Sequence, residues 1–205
     1  AMPAETIIEV VNINDPGALQ AIVEETGVSE ASRADRIASA TRRVISERME
    51  EDPTFYKQFS ELLEETIQAY REKRLSERDY LNSVADLASK VARKERNRNV
   101  PESIRGNEDA QAFFGILEGQ LQTKDGERVT ESEVASITLA IIEIIKSHLI
   151  VGIWSNDVAQ NNLRNAIDDY FFDVLRDEEG IELPVEMLDE IELKIMDLAR
   201  ARFAA

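Results

Sequence analysis

Cysteine is absent from this chain of 205 residues. That excludes disulfides, a thiol nucleophile and cysteine-bound zinc, and it fits a reducing cytoplasm, the expected location. Histidine and tryptophan each occur once, as His148 and Trp154. The eight glycines are scattered, and none falls in a GxxxxGK[ST] or GxGxxG arrangement, so no phosphate cradle is written in the chain. Basic residues are few: 24 Lys and Arg stand against 41 Asp and Glu, a net charge of −17. A polyanion of this size is repelled by nucleic acid and by anionic membrane unless its basic residues cluster. Long apolar runs are missing too. The most apolar stretch, Val134 to Trp154, is interrupted by Glu143, Lys146 and His148 and reads as a buried helix, not a membrane span. The opening Ala1-Met2 reads as an expression scar, not a signal peptide, so the chain is expected to be cut from a longer protein.

What is present is helical punctuation. With 43% hydrophobic residues, the chain can bury about 70% of its unfolded surface. Asn14 or Asp15 caps a helix with Pro16 in its first turn and Gly27 as its stop. A second helix runs on from Ser29, with Ile37, Val44, Ile45 and Met49 near one face. A third starts at Asp52-Pro53 and carries the stripe Tyr56, Phe59, Leu63, Ile67 and Tyr70. Ser76 opens the next, with Asp79 at the capping-box position and Leu81, Val84, Leu87, Ala88 and Val91 facing inward. Beyond Pro101 a helix is expected over 107–121. Thr130 and Glu133 make a capping box for one reaching Ile150, and further helices follow from Asn156 and from Pro184 to about Phe203. Only residues 5–13, ETIIEVVNI, read as a strand. The expected architecture is all-α: an arm and first short helix over 1–28, then one multi-helix bundle over 29–205. The helix over 134–151, apolar around its axis, is expected at the bundle centre, enclosed by those starting at Pro53, Ser76, Asn156 and Pro184.

Candidate chemistry is sparse. His148 beside Leu149 and Ile150 reads as a structural residue at a helix end, where partial positive charge suits the dipole. Asp168, Asp169, Asp173, Asp177 and Glu178 lack a calcium-loop spacing and read as a solvated acidic face. Glu192-Leu193-Lys194 has the order of a nuclease Glu-x-Lys tail, but it lies in an amphipathic helix pattern. No catalytic, cofactor-binding or metal-ligating residue is therefore assigned. Two basic groups stand against the acidic background: Arg33, Arg36, Arg42 and Arg43, and then Lys90, Arg93, Lys94, Arg96 and Arg98. The second group is the candidate surface for a partner or for DNA. Trp154, ahead of the helix cap at Asn156, is the candidate structural anchor of a core corner.

The order of these landmarks resembles a known family. ASRADRIASATRRVISERMEEDPTFYKQFSELLEETIQAYREKRLSERDYL joins an Arg-containing helix to an acidic-Pro-x-Phe-Tyr turn. A helix ending near a Tyr comes next, then a Ser-initiated helix with Tyr-Leu. DAQAFFGIL and IWSNDVAQNNLRNAIDDYFFDVL follow, the latter with a Trp, a polar turn and a helix bearing Leu-Arg and Ile. Together they resemble the C-terminal helical domain of the type I restriction enzyme R subunit, the motor and nuclease chain, over residues 30 to 203. Ile153 stands where many relatives carry Asp, so no polar role is carried over to that corner. The resemblance implies a parent that translocates DNA with ATP and Mg2+ through other domains; no motif for these lies in this chain. For the chain itself it implies a non-catalytic assembly role, docking onto the methyltransferase (M) and specificity (S) subunits. The alternative is a DNA-guiding module contacting duplex through residues 90–98.

Overall fold

The computed structural model describes residues 11–96 and 100–204. About three quarters of the chain is helical, and among the described residues there are eight α-helices and a single two-stranded sheet, an all-α fold as expected. The chain divides into two compact units, the first formed by residues 1–49 and 55–97 and the second by 50–54 and 98–205. Each has its own cluster of buried side chains. Residues 29–205, expected as one bundle, contribute helices to both units.

In the first unit, α1 (Pro16–Val23) starts where the Asp15 carboxylate accepts from the Gly17 and Ala18 amides. Helix α2 (Glu30–Arg48) is capped by Ser29, whose side chain accepts from the Ser32 amide. Helix α4 (Glu77–Arg93) is capped by Ser76, which accepts from the Asp79 amide at 3.1 Å and donates to the Asp79 carboxylate at 2.7 Å. Aspartate therefore fills a position usually held by Glu. Ile37 and Ile45 of α2, the stripe Phe55, Tyr56, Phe59 and Leu63 of α3 (Pro53–Arg71), and Tyr80, Leu81, Val84 and Val91 of α4 make the core. Tyr80, not anticipated as a core residue, stacks on Tyr70 at 4.4 Å and donates its hydroxyl to Asp35 at 3.0 Å. Burial and this carboxylate raise its phenol pKa well above the usual value. Residues 5–10 of the expected strand lie outside the described residues. Residues 11–13 form no strand, and Ile13 is buried with Leu19 against this core.

The second unit holds α5 (Glu108–Leu117), α6 (Glu131–His148), α7 (Asp157–Asp169) and α8 (Val185–Arg202). Thr130 and Glu133 form the reciprocal capping box of α6. Helix α6 packs between α5 and α7, while α8 lies against α5 and α7. Its buried face is Val134, Ile137, Ile141, Ile142 and Ile145. The expectation of an all-round apolar helix over 134–151 is corrected here. The helix stops at His148, Leu149 caps it, and Ile150 and Val151 lie beyond its end, facing solvent. Helix α6 packs on helices of its own unit, while the expected enclosing helices starting at Pro53 and Ser76 fall chiefly in the first.

After α7 the chain continues as a π-helical segment, Tyr170–Glu179. Leu163, Ile167, Phe171 and Leu175 are all buried and recur every four residues. A 3.6-residue turn would rotate that series steadily off the core, and wider i→i+5 turns reduce the drift. Gly180, at φ +70°, ends the segment. Two short strands then pair antiparallel, β1 (Gln122–Thr123) with β2 (Ile181–Glu182). They are too short to show an alternating pattern, and the sequence reads there as turn and helix break.

Candidate interaction surfaces

The basic stretch 90–98 ends α4. Lys90 pairs with Asp86 one turn earlier at 2.9 Å. Lys94 takes the left-handed C-cap conformation at φ 53°, and the Arg96 guanidinium lies over the Phe55 ring at 5.6 Å. Of the four described members Arg93 is exposed and Lys90, Lys94 and Arg96 are half-buried; Arg98 lies outside the described residues. The other basic group is largely engaged within its own unit. Arg33 donates to the Val23 carbonyl, Arg36 pairs with Glu25 at 2.5 Å and Arg42 with Glu64 at 2.6 Å, while Arg43 is exposed.

The acidic excess is not shared evenly. In sequence, the first unit has 14 Lys and Arg against 16 Asp and Glu, and the second has 10 against 25. The second unit therefore carries −15 of the −17. Between residues 168 and 192 there are 11 acidic residues and one basic residue, Arg176. Of the expected acidic face, Asp169, Asp173, Asp177 and Glu178 are exposed, with Asp177 paired to Arg176 at 2.8 Å. Asp168 differs. It is half-buried at the seam of α7 and α8, where Arg164 Nε lies 3.0 Å from the Glu192 carboxylate without hydrogen-bond alignment. Arg164 acts on both Asp168 and Glu192, and Asp189 repels each of them. Desolvation raises the Asp168 carboxyl above its ordinary pKa, with repulsion from Asp169 and Asp189 adding to it. Glu192 is raised by desolvation and then by Asp168.

Trp154 sits in a short 3-10 turn, Ile153–Ser155, ahead of the Asn156 cap of α7. The fully buried residue of that turn is Ile153; Trp154 is half-buried and packs against the core cluster. Its indole N–H donates to the Phe203 carbonyl at 2.9 Å, and the Arg200 guanidinium lies 5.7 Å from its ring centre. The Phe203 ring in turn stacks on Phe113 at 6.0 Å. The tryptophan thus ties the C-terminal end of α8 to the α6–α7 corner. Nearby, Arg202, its side chain 13% exposed, reaches Asp109 at 2.6 Å and the Glu51 carbonyl at 2.6 Å. Sequence reading missed this clamp, because its partners lie 93 and 151 residues away.

His148 Nδ1 lies 2.8 Å from the Ile144 carbonyl oxygen, one helical turn back. Glu192 and Lys194 are both on α8, Glu192 facing Arg164 and Lys194 paired with Glu190 at 2.5 Å. Among the described residues, no group of three or more His, Asp or Glu side chains is placed to hold a metal ion. Nor is any described helix long and apolar enough to cross a membrane. Large apolar side chains are exposed at two places in the second unit. Ile150, Val151 and Val158 lie at the α6–α7 corner, and Val185 and Leu193 lie on the outer face of α8.

Comparison with curated proteins and with solved structures found no match to the chain. A family model does match, over residues 34–200: type I restriction enzyme HindI endonuclease subunit-like, C-terminal. The match runs from within α2 to within α8, and the chain belongs to this family of C-terminal domains of a type I restriction endonuclease subunit.

Proposed function

We propose that this domain is a non-catalytic assembly module. It docks the ATP-dependent, DNA-translocating endonuclease subunit onto the methyltransferase–specificity core of a type I restriction complex. Family membership supports the restriction setting. The observation that carries the docking role is the second unit, whose sequence holds 25 acidic residues against 10 basic ones and whose surface exposes bulky apolar side chains. Such a surface repels a phosphate backbone and favours a protein. The test is deletion of residues 34–200 from the parent subunit. The truncated subunit is expected to keep DNA-stimulated ATP turnover in isolation and to lose co-purification with the core. Co-purification unchanged by the deletion refutes the reading.

A DNA-guiding role for the basic end of α4 is supported by one feature: Arg93 is exposed on a unit that is nearly neutral, at 14 basic to 16 acidic residues. On that reading duplex binding is tight near physiological salt and is lost in Arg93→Glu. On the docking reading it is weak and vanishes as salt rises.

A further inference from the structure

The outer face of α8 combines two properties that a solvated helix face does not need together. From Val185 to Asp197 the exposed positions are Val185, Glu186, Asp189, Glu190, Leu193, Lys194 and Asp197. Their spacing keeps them within one half of the helix surface, over a length of about 18 Å. Leu193, 53% exposed, lies near the middle of that half, and Val185, 85% exposed, near one edge two turns earlier. Four acidic side chains frame them against one lysine, which Glu190 already holds. Beside this face lies the α7–α8 seam, where Arg164 Nε lies 3.0 Å from the Glu192 carboxylate, Asp189 repels both Asp168 and Glu192, and a buried Asp168 oxygen has no hydrogen-bond partner. A central exposed leucine, with a valine at the edge and charged side chains around both, has the anatomy of a protein interface.

Resting on the docking reading, we infer that α8's outer face is the docking surface and that its occupant is a basic protein surface of the methyltransferase–specificity core. That surface sets apolar side chains on Val185 and Leu193 and brings Lys or Arg to the acidic rim. Charge decides the occupant. A second copy of this unit would bring −15 against −15, and duplex DNA would bring phosphates to the same field. A basic protein gains from the acidic rim and from the carboxylates of the adjoining seam. The α6–α7 corner also exposes Ile150, Val151 and Val158, but Lys146 and Asp157 give its flanks charges of both signs, so it selects no partner chemistry.

The test measures binding of the whole chain to the purified methyltransferase–specificity core by biolayer interferometry across a salt series. V185S/L193S changes only exposed side chains and is expected to weaken affinity about tenfold or more, with an unchanged unfolding midpoint. E186K/D197K is expected to slow association and flatten its salt dependence. Arg93→Glu, on the other unit, is expected to bind as the unmodified chain does. If the unmodified chain shows no binding, the docking reading itself fails. If it binds and both α8 variants match it, the docking reading stands and the placement on α8 is overturned. Sedimentation of the chain alone supplies a further arm: a dimer abolished by V185S/L193S makes the occupant a second copy and also overturns the inference.

Discussion

Truncating Trp154 to alanine is expected to destabilise the second unit by about 2–4 kcal/mol. A fully buried Trp costs about 3–5 kcal/mol on truncation, and Trp154 is only half-buried, so the apolar part is nearer 1–2 kcal/mol. The lost 2.9 Å hydrogen bond from the indole to the Phe203 carbonyl adds roughly 1 kcal/mol. Loss of the Arg200 guanidinium over the ring adds about 0.5 kcal/mol at this accessibility. The assay is urea unfolding followed by circular dichroism, with two units able to give two transitions. As the only tryptophan, Trp154 assigns the second unit's transition by its own fluorescence in the unmodified chain. Trp154→Phe keeps most of the ring and loses the donor, so it should fall between the two. The reasoning is refuted if Trp154→Ala leaves both midpoints unchanged, or if Trp154→Phe is as damaging as the alanine variant.

Other outcomes follow from the same structure. Arg202→Ala should cost about 1.5–3 kcal/mol in the second unit, because it removes charge-assisted bonds to Asp109 and the Glu51 carbonyl from a mostly buried side chain; a shift below about 0.5 kcal/mol contradicts the clamp. Asp168 and Glu192 have raised pKa values in the folded unit, so the folded state holds their protons more tightly than the unfolded chain does. Stability from these two groups should therefore rise as pH falls from neutral toward the carboxylate range, and Asp168→Asn should flatten that rise. Melting temperatures measured from pH 7 to 5 that drop in the unmodified chain, or show the same slope in the variant, contradict this assignment. The isolated chain should neither turn over ATP with DNA nor cut DNA; turnover above that of a heat-treated sample contradicts the non-catalytic reading.

Much of the helical framework is legible in the residues because caps are local. Asp15, Ser29, Ser76, Thr130 and Asn156 all accept a backbone amide two or three positions on, within the reach of a sequence pattern. The stripe on α3 is legible for the same reason, since side chains four apart share a face. What sequence does not reveal is closure. Two separate cores and one bundle give the same helical periodicities, and the clamp from Arg202 to Glu51 spans 151 residues. The π-helical segment reads as ordinary helix because its buried residues keep a helix-like spacing. The apolar run at 149–151 reads as helix although its last residues face water, because composition does not mark where a helix ends. For the surfaces, sequence draws attention to the basic end of α4 because basic residues are scarce. The acidic rim of α8 becomes visible only once exposure shows Val185 and Leu193 among the acids.

The most direct measurement of the central claim is sedimentation velocity of the chain mixed with the methyltransferase–specificity core, without DNA or ATP, near physiological salt. The account predicts a new, faster-sedimenting complex at micromolar concentration, weakened as salt rises and absent for the core mixed with a heat-unfolded chain. Two independently sedimenting species under those conditions, with the chain instead moving with added duplex DNA, would contradict it.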